Sequence, residues 1–384
     1  MNNLIIALIA VLVLAMFLIV FRISNLASIL RNKNRKEDEI DVASNNFHAY
    51  LFLLLPLAGG IWAFWYASQH LTLWGQPDGA VHGAEYDWLS KIAHIIIILM
   101  FLVTNAGLFY FAFKYRHKKG YKATFYPDNT KLEVVWTIVP AIILTVLVIT
   151  GQRLWSRVTK DAPENAVQIE VMGKQFNWIA RYPGSDNKFG GYNFRYTDDV
   201  NEMGLDFTDK NVNDDFQATE LVLVKGKPIS LKIRARDVLH SVSFPHFRQK
   251  MDAVPGQPTK MWFIPTKTTQ EMREELRKNP EYLKPDPSTT KGDPKDVKAR
   301  WETFDYELVC QEICGRGHFS MRMRVLVLDE KEYNAWLAKQ EPFVKKNQEY
   351  VAEAIKRQTK MKQAEGKAEV QEEQSIIKPV SIKN

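Results

Sequence analysis

Long apolar runs fill the first 155 residues, and short alternating runs follow them. Residues 4–21 carry no charge over about 18 positions, near the minimum length of a membrane-crossing helix. Residues 50–67 form a second run, with Pro56, Gly59 and Gly60 inside it, all tolerated in membrane helices. Residues 92–113 are the longest run and 134–151 the fourth, so the pattern predicts four membrane helices. Beyond residue 165 the apolar period drops to two, over 166–172, 220–224, 229–233, 261–264, 304–309 and 321–328. Turn signals separate these stretches, among them Pro183-Gly184, Gly190-Gly191 and Pro255-Gly256. Several short strands with such punctuation predict a β-sandwich or small barrel.

The divisions follow from these changes. Residues 1–45 hold the first helix and its loop, 46–90 the second, 91–155 a helical hairpin, 156–332 the β-domain and 333–384 a charged helix and tail. Within the β-domain, residues 267–300 are charged and contain Pro285-Asp286-Pro287, which predicts an inserted helix and loop forming a solvated surface excursion. Past about Gly366 the Lys, Glu, Gln and Ala composition predicts a disordered tail.

Charge sets the orientation. Arg22, Arg31, Lys33, Arg35 and Lys36 follow the first run, and Lys114-Tyr115-Arg116-His117-Lys118-Lys119 closes the third. The segment between runs two and three has Asp78, Glu85 and Asp87 and no Lys or Arg before Lys91. The positive-inside rule then puts 22–47 and 114–133 in the cytoplasm, and the β-domain in the periplasm of a bacterial-type inner membrane. A signal peptide fits the first run poorly, because no Lys or Arg precedes it and no small-x-small site ends it. The net charge of +7 sits largely beside the apolar spans, and no basic patch interleaved with aromatics is present, so nucleic acid is not an expected partner.

The candidate chemistry lies in residues 310–321. This stretch holds both cysteines of the chain, Cys310 and Cys314, then His318 and Met321. Thiolates, imidazole and thioether favour copper or zinc over magnesium or calcium. A closed zinc site wants four Cys or His ligands, commonly from two knuckles. A blue-copper site uses one Cys, two His and an axial Met, one thiolate fewer than here. The extra thiolate suits two copper ions bridged by two sulfurs, given a second histidine from elsewhere. A disulfide between the two cysteines is the plainer alternative, and leaves Glu312, His318 and Met321 unexplained.

The pattern Cys-x-Glu-x-Cys-x-x-x-His-x-x-Met resembles the copper A loop of cytochrome c oxidase subunit II. That resemblance implies a cupredoxin-like Greek-key barrel behind membrane helices. It implies two copper ions, with Cys310 and Cys314 bridging, His240 and His318 terminal, Met321 axial and the Glu312 main-chain carbonyl opposite. His240 enters through the segment Asp237-Val238-Leu239-His240-Ser241 with Asp252-Ala253-Val254-Pro255-Gly256 downstream, which is similar to the family's first-histidine segment. His246 matches no family ligand. The Glu312 side chain matches a position that reaches a magnesium ion shared with subunit I. Leu132-Glu133-Val134-Val135-Trp136-Thr137-Ile138-Val139-Pro140 resembles the second hairpin helix, where the glutamate lies at the mouth of a proton channel; that gives Glu133 a proton role, against the plainer reading of a solvated helix-end carboxylate.

The resemblance implies partners as well: oxidase subunit I, further oxidase subunits, and a c-type cytochrome donor. No Cys-x-x-Cys-His occurs, so the donor is expected on a separate polypeptide. The function implied is electron transfer from that donor through copper to haem in subunit I, where oxygen is reduced to water and protons are pumped. A membrane-anchored copper chaperone or assembly protein is the alternative.

The sequence departs from the family in two places. The family hairpin has two spans and this chain has four. The family's Gly-His-Gln-Trp-x-Trp reads Gly173-Lys174-Gln175-Phe176-Asn177-Trp178 here, so Phe176 stands where a tryptophan accepts the electron and Trp178 matches the second aromatic. Arg181 and Arg236 stand where docking carboxylates are common, which predicts repulsion of a basic soluble cytochrome and a dedicated donor, with a neighbouring membrane respiratory complex as its place.

Overall fold

The computed structural model describes residues 2–31, 42–70, 76–290 and 293–377. It resolves into two compact units, one of residues 1–72 with 92–141, the other of residues 73–91 with 142–384.

The first unit is helical. Helix α1 runs Asn2–Arg31, α2 Val42–His70, α3 Gly83–Lys114 and α4 Thr130–Thr159, the last two continuing into the second unit. Among the described residues α2, α3 and α4 are long and apolar enough to cross a membrane. The apolar part of α1 whose side chains are described is shorter, Val11–Ala27; the side chains of residues 4–10 in the first predicted span lie outside the described set. Pro56 and Pro140 sit inside α2 and α4. The apolar side chains of these helices face outward, as lipid- or subunit-facing positions do. Helix α2 is tied to α3 at the basic end: Arg116 Nε donates to Asn46 Oδ1 at 2.7 Å, and Asn45 Nδ2 to the His117 carbonyl at 3.0 Å.

The second unit is a two-sheet β-domain. One sheet has the order β3-β2-β1-β5-β8 and the other β4-β10-β9-β6-β7. The strands are β1 Val167–Lys174, β2 Asn177–Tyr182, β3 Phe216–Ala218, β4 Leu221–Val224, β5 Ile229–Ala235, β6 His240–Phe244, β7 Gln249–Ala253, β8 Thr259–Phe263, β9 Tyr306–Cys310 and β10 Arg322–Leu328. Alternation builds the core, since β9 and β10 bury every second residue. Ile169, Val171, Leu231, Ile233, Val242, Leu308, Val325 and Val327 fill the space between the sheets. Pairs β1·β5 and β4·β10 are parallel and the others antiparallel, the signature of long crossings between sheets. The Tyr182 hydroxyl, bonded to both the N–H and the carbonyl of Val222, staples one sheet to the other.

Four strands escaped the alternation rule: β2, β3, β6 and β7. In β6 the residues His240, Ser241 and Ser243 are buried although polar, and only Val242 and Phe244 mark the alternation, too short a run to stand out.

Two expectations need correction. The helical part of the insertion is not a solvated excursion, whereas none of the described side chains of 277–300 is buried. Its helix α5, Thr269–Leu276, starts with a capping box between Thr268 and Glu271, and buries Met272 and Leu276 in the domain core. Thr269 Oγ1 also accepts the Val327 N–H of β10. The charged residues noted in the sequence are the outer face of an amphipathic helix. The second correction is the tail: after α6 Glu330–Leu337 and α7 Phe343–Lys346, helix α8 runs Gln348–Ile377, past Gly366. Its Lys, Glu, Gln and Ala residues are good helix formers, and its first turns pack Val351 and Ala354 against Met203, Leu205 and Phe207. Residues 378–384 lie outside the described set.

Candidate metal centre

Three strand ends converge at one end of the β-domain. β9 delivers Cys310 as its last residue, β6 delivers His240 as its first, and Met321 precedes β10. Pairing of β6 with β9 puts Val242 opposite Cys310, which brings the His240 ring alongside the thiol. The intervening loop is pinned at its ends by Cys310 N–H to Met321 O at 3.0 Å and Gln311 N–H to Ser241 O at 3.3 Å.

Both cysteines are free thiols, buried, with Sγ atoms 3.9 Å apart. Cys310 Sγ lies 3.9 Å from His240 Nδ1 and 3.2 Å from the Glu312 carbonyl oxygen. Cys314 Sγ lies 3.7 Å from His318 Nδ1 and 3.7 Å from Met321 Sδ. Each sulfur therefore faces the other sulfur, one imidazole nitrogen and one weak donor. His240, Cys310 and Cys314 form the tightest group, with donor atoms all within 4.8 Å of one another. The donors stand too far apart for strong bonds to each other. Gaps of this size accept an ion bound at about 2.0–2.3 Å to nitrogen and sulfur.

The surroundings prepare these donors. His240 Nε2 meets Asp237 Oδ1 at 2.8 Å, which puts its proton on Nε2 and leaves the Nδ1 lone pair toward Cys310. Burial works to raise the Asp237 carboxyl, but the N–H of Gln175, the His240 ring and the N–H of Val238 outweigh it and hold it below the ordinary carboxylate range. Burial, with Cys310 beside it, pushes the Cys314 thiol up to about 11, so binding a metal there releases a proton at neutral pH.

The remaining candidates fall in different places. The Glu312 side chain is exposed while its carbonyl faces Cys310. Phe176 is 39% exposed and lies on the loop glycines; a Cβ at Gly317 would stand 2.5 Å from its ring. Trp178 is only 2% exposed, edge-on to His240 with ring centres 5.9 Å apart, so it offers a donor no surface. His246 is half-buried, its ring packed against Phe304 and Tyr306 and not against the cluster. Glu133 is exposed on the first turn of α4, where its Oε1 accepts the Asn129 N–H at 3.4 Å.

Of the two arginines expected to repel a basic donor, Arg181 is withdrawn from the surface and Arg236 is not. Arg181 is 0% exposed and ion-paired with Glu170 and Asp215, so it repels nothing outside. Arg236 and Lys174 share the single carboxylate of Glu202, which cancels half of their charge and leaves one positive charge on this exposed edge. Sequence reasoning did not assign Gln175 a role, although it sits in the noted Gly-Lys-Gln-Phe-Asn-Trp motif. Its Nε2 donates to the Cys314 carbonyl at 2.6 Å.

Known proteins share these features. The description "Cytochrome C oxidase subunit II, transmembrane domain" matches residues 73–154, and "Cytochrome C oxidase subunit II, periplasmic domain" matches residues 167–271. The chain belongs to the cytochrome c oxidase subunit II family. Among subunit II relatives, the alternative cytochrome c oxidase subunit 2 of Bradyrhizobium diazoefficiens is 29% identical over 299 residues, covering 76% of this chain and 92% of that one. Cytochrome c oxidase subunit 2 of Cereibacter sphaeroides is 24% identical, covering 68% and 78%. The solved periplasmic domain of Bradyrhizobium japonicum cytochrome oxidase subunit II is 22% identical over 46% of this chain and 94% of that one, with a TM-score of 0.28, too low to bear on the argument. This subunit II is a membrane protein with a periplasmic β-domain. The second match stops at residue 271, inside α5 at the start of the insertion, ahead of the Cys310–Met321 loop.

Proposed function

We propose that this subunit carries the dinuclear copper centre of a respiratory haem-copper oxidase, takes electrons from a c-type cytochrome and passes them to haem in subunit I for reduction of oxygen to water coupled to proton pumping. The observation that carries the reading is the alternation of donors, imidazole–sulfur–sulfur–imidazole, with Met321 Sδ and the Glu312 carbonyl beside opposite sulfurs. Cys310 and Cys314 would bridge, His240 and His318 would cap the ends, and Met321 and the Glu312 carbonyl would be the weak ligands. When bound, the copper pair supplies a one-electron carrier whose charge is shared over two ions. The chain holds Cys310, His240 and Met321 at strand ends, buries both cysteine sulfurs and orients His240 through Asp237, so these donors move little as charge comes and goes.

Other residues take peripheral roles. The exposed Glu312 carboxylate is free to reach a magnesium ion shared with subunit I. Phe176, over the loop, is the surface through which the donor's electron would arrive, with Trp178 behind it as packing for His240. The donor is a separate cytochrome, its place a neighbouring membrane respiratory complex; the companions that purify with the native oxidase test this. Glu133, at the cytoplasmic start of α4, would pass protons toward subunit I. Glu133→Ala should slow turnover severalfold with copper content intact, and unchanged turnover would reduce Glu133 to a helix-end carboxylate.

Electron spin resonance of the oxidised complex tests the central claim. A multi-line mixed-valence spectrum with a purple colour is expected. A single-copper spectrum would instead favour a membrane-anchored copper chaperone or assembly protein, and an S–S bond between the cysteines would end both readings.

A further inference from the structure

We propose that Gln175 is a positioning residue that clamps the two halves of the metal cluster together; this rests on the copper reading above. The halves arrive on different elements. Cys314 comes from the loop after β9, and His240 from the start of β6. The loop holds Gly315 and Gly317, and Gly315 has φ +132°, a conformation that glycine adopts without strain. Such a loop is not stiff by itself, yet an electron-transfer site needs donors that keep their places.

Gln175 provides the missing connection. Its side-chain Nε2 donates to the Cys314 carbonyl at 2.6 Å. Its backbone N–H donates to Asp237 Oδ2 at 2.7 Å, and Asp237 Oδ1 meets His240 Nε2 at 2.8 Å. One residue thus links the peptide of a thiolate ligand to the partner of an imidazole ligand, through an unbroken series of short hydrogen bonds.

The clamp is itself braced. β1 and β5 run parallel with Gly173 opposite Ala235, and the Arg236 N–H donates to the Gly173 carbonyl at 2.9 Å just beyond. Lys174 and Arg236, the neighbours of Gln175 and Asp237, both pair with Glu202. Glu202 belongs to a segment that α8 holds from outside, through Tyr350 Oη to Asp198 at 2.7 Å and Gln358 Nε2 to the Leu205 carbonyl at 2.9 Å. Position is therefore transmitted from the C-terminal helix to the ends of two strands, and from there to Cys314 and His240. Gln175 touches neither imidazole nor sulfur through its side chain, so its effect is on placement.

The test uses the intact oxidase complex. Gln175→Met keeps the length of the side chain and removes the donor. With copper loaded to the wild-type level, it should lose metal to a chelator about tenfold faster, the low end for groups that orient metal ligands. It should also change the hyperfine pattern and move the midpoint potential. Gln175→Lys, which restores an N–H donor of similar reach, should recover part of the chelation rate. A Gln175→Met complex with wild-type spectrum, potential and chelation rate overturns the clamp, whether or not its turnover falls. If Gln175→Met does not assemble, Asp237→Asn serves instead: the same spectral and chelation signature is expected, and its absence overturns the clamp. A wild-type complex without a sulfur-bridged metal pair would overturn the function itself; a loaded wild type with an unresponsive Gln175→Met overturns only this inference.

Discussion

The β-domain buries two polar clusters, and they differ in how their members treat one another. In the first, around Cys310 and Cys314, thiols, imidazoles and a thioether stand 3.7–3.9 Å apart. Thiol hydrogen bonds at that range are weak, so the donors are gathered without being satisfied. In the second, Arg181 Nη1 reaches Glu170 Oε2 at 2.9 Å, its Nε reaches Asp215 Oδ2 at 3.1 Å, and its Nη2 donates to the Gly190 carbonyl at 2.7 Å. Arg234 Nε closes on the other Glu170 oxygen at 2.9 Å. Hard charges in direct contact neutralise each other, although Glu170 Oε1 and Asp215 Oδ1 keep no hydrogen bond of their own. The pair teaches that a buried polar cluster is a binding site when its groups leave their bonding capacity toward a common space, and a brace when they use it on one another.

The largest effect that would sharpen this contrast is the removal of the brace's centre. Arg181→Met leaves Glu170 and Asp215 buried without their main partner, and breaking such a group costs roughly 3–5 kcal/mol. The unfolding free energy of the purified complex, from denaturant curves followed by tryptophan fluorescence, should fall by that amount, while the fraction still folded keeps the spectrum of the metal centre. A loss under about 1 kcal/mol would mean the cluster is wet and not a brace. A metal signal lost before the fold would mean the two clusters are not separable.

How much of this was visible in the sequence follows from the same contrast. Cys310, Cys314, His318 and Met321 fall within one short stretch, so spacing alone flagged them. His240 is far away in the chain and is found through its segment's resemblance to a known one, because β6 buries polar residues and alternates only over Val242 and Phe244. The brace was misread. Arg181 follows Ile179 and Ala180 in a strand whose inward face is partly polar, and nothing local tells that Asp215 and Glu170 will enclose it. Helix α5 reads as a helix but as a surface one, since its two buried apolar residues, Met272 and Leu276, are outnumbered by charges. Partnerships between distant polar groups depend on tertiary pairing, and single-sequence patterning does not carry them.

The subtlest effect is on pH, and here the brace and the half-buried His246 act against each other. Burial pushes Asp215 up to about 6 against the pull of Arg181. Its folded state holds a proton that the unfolded chain has given up from about pH 4, so its contribution to stability falls as pH rises from about 4 to about 6. Burial, with Arg248 nearby, pushes His246 down to about 4. There the unfolded chain takes the proton first, so its contribution rises with pH over about 4 to 6.5. Each displacement corresponds to roughly 3 kcal/mol, with opposite sign. Glu170 lies below the ordinary range, because Arg234, Arg181 and Lys232 together outweigh its burial, and its contribution is lost only on acidification. The contributions of Asp215 and His246 should therefore nearly cancel between about pH 4.5 and 6.5. Asp215→Asn should tilt the profile so that stability climbs with pH, by up to a few kcal/mol across the window. His246→Phe should tilt it the other way. Melting curves of the complex at half-unit pH steps decide the matter: parallel profiles for wild type and Asp215→Asn would mean that the carboxyl ionises as freely in the folded protein as in the unfolded chain, and the closed character assigned to the brace would fail with it.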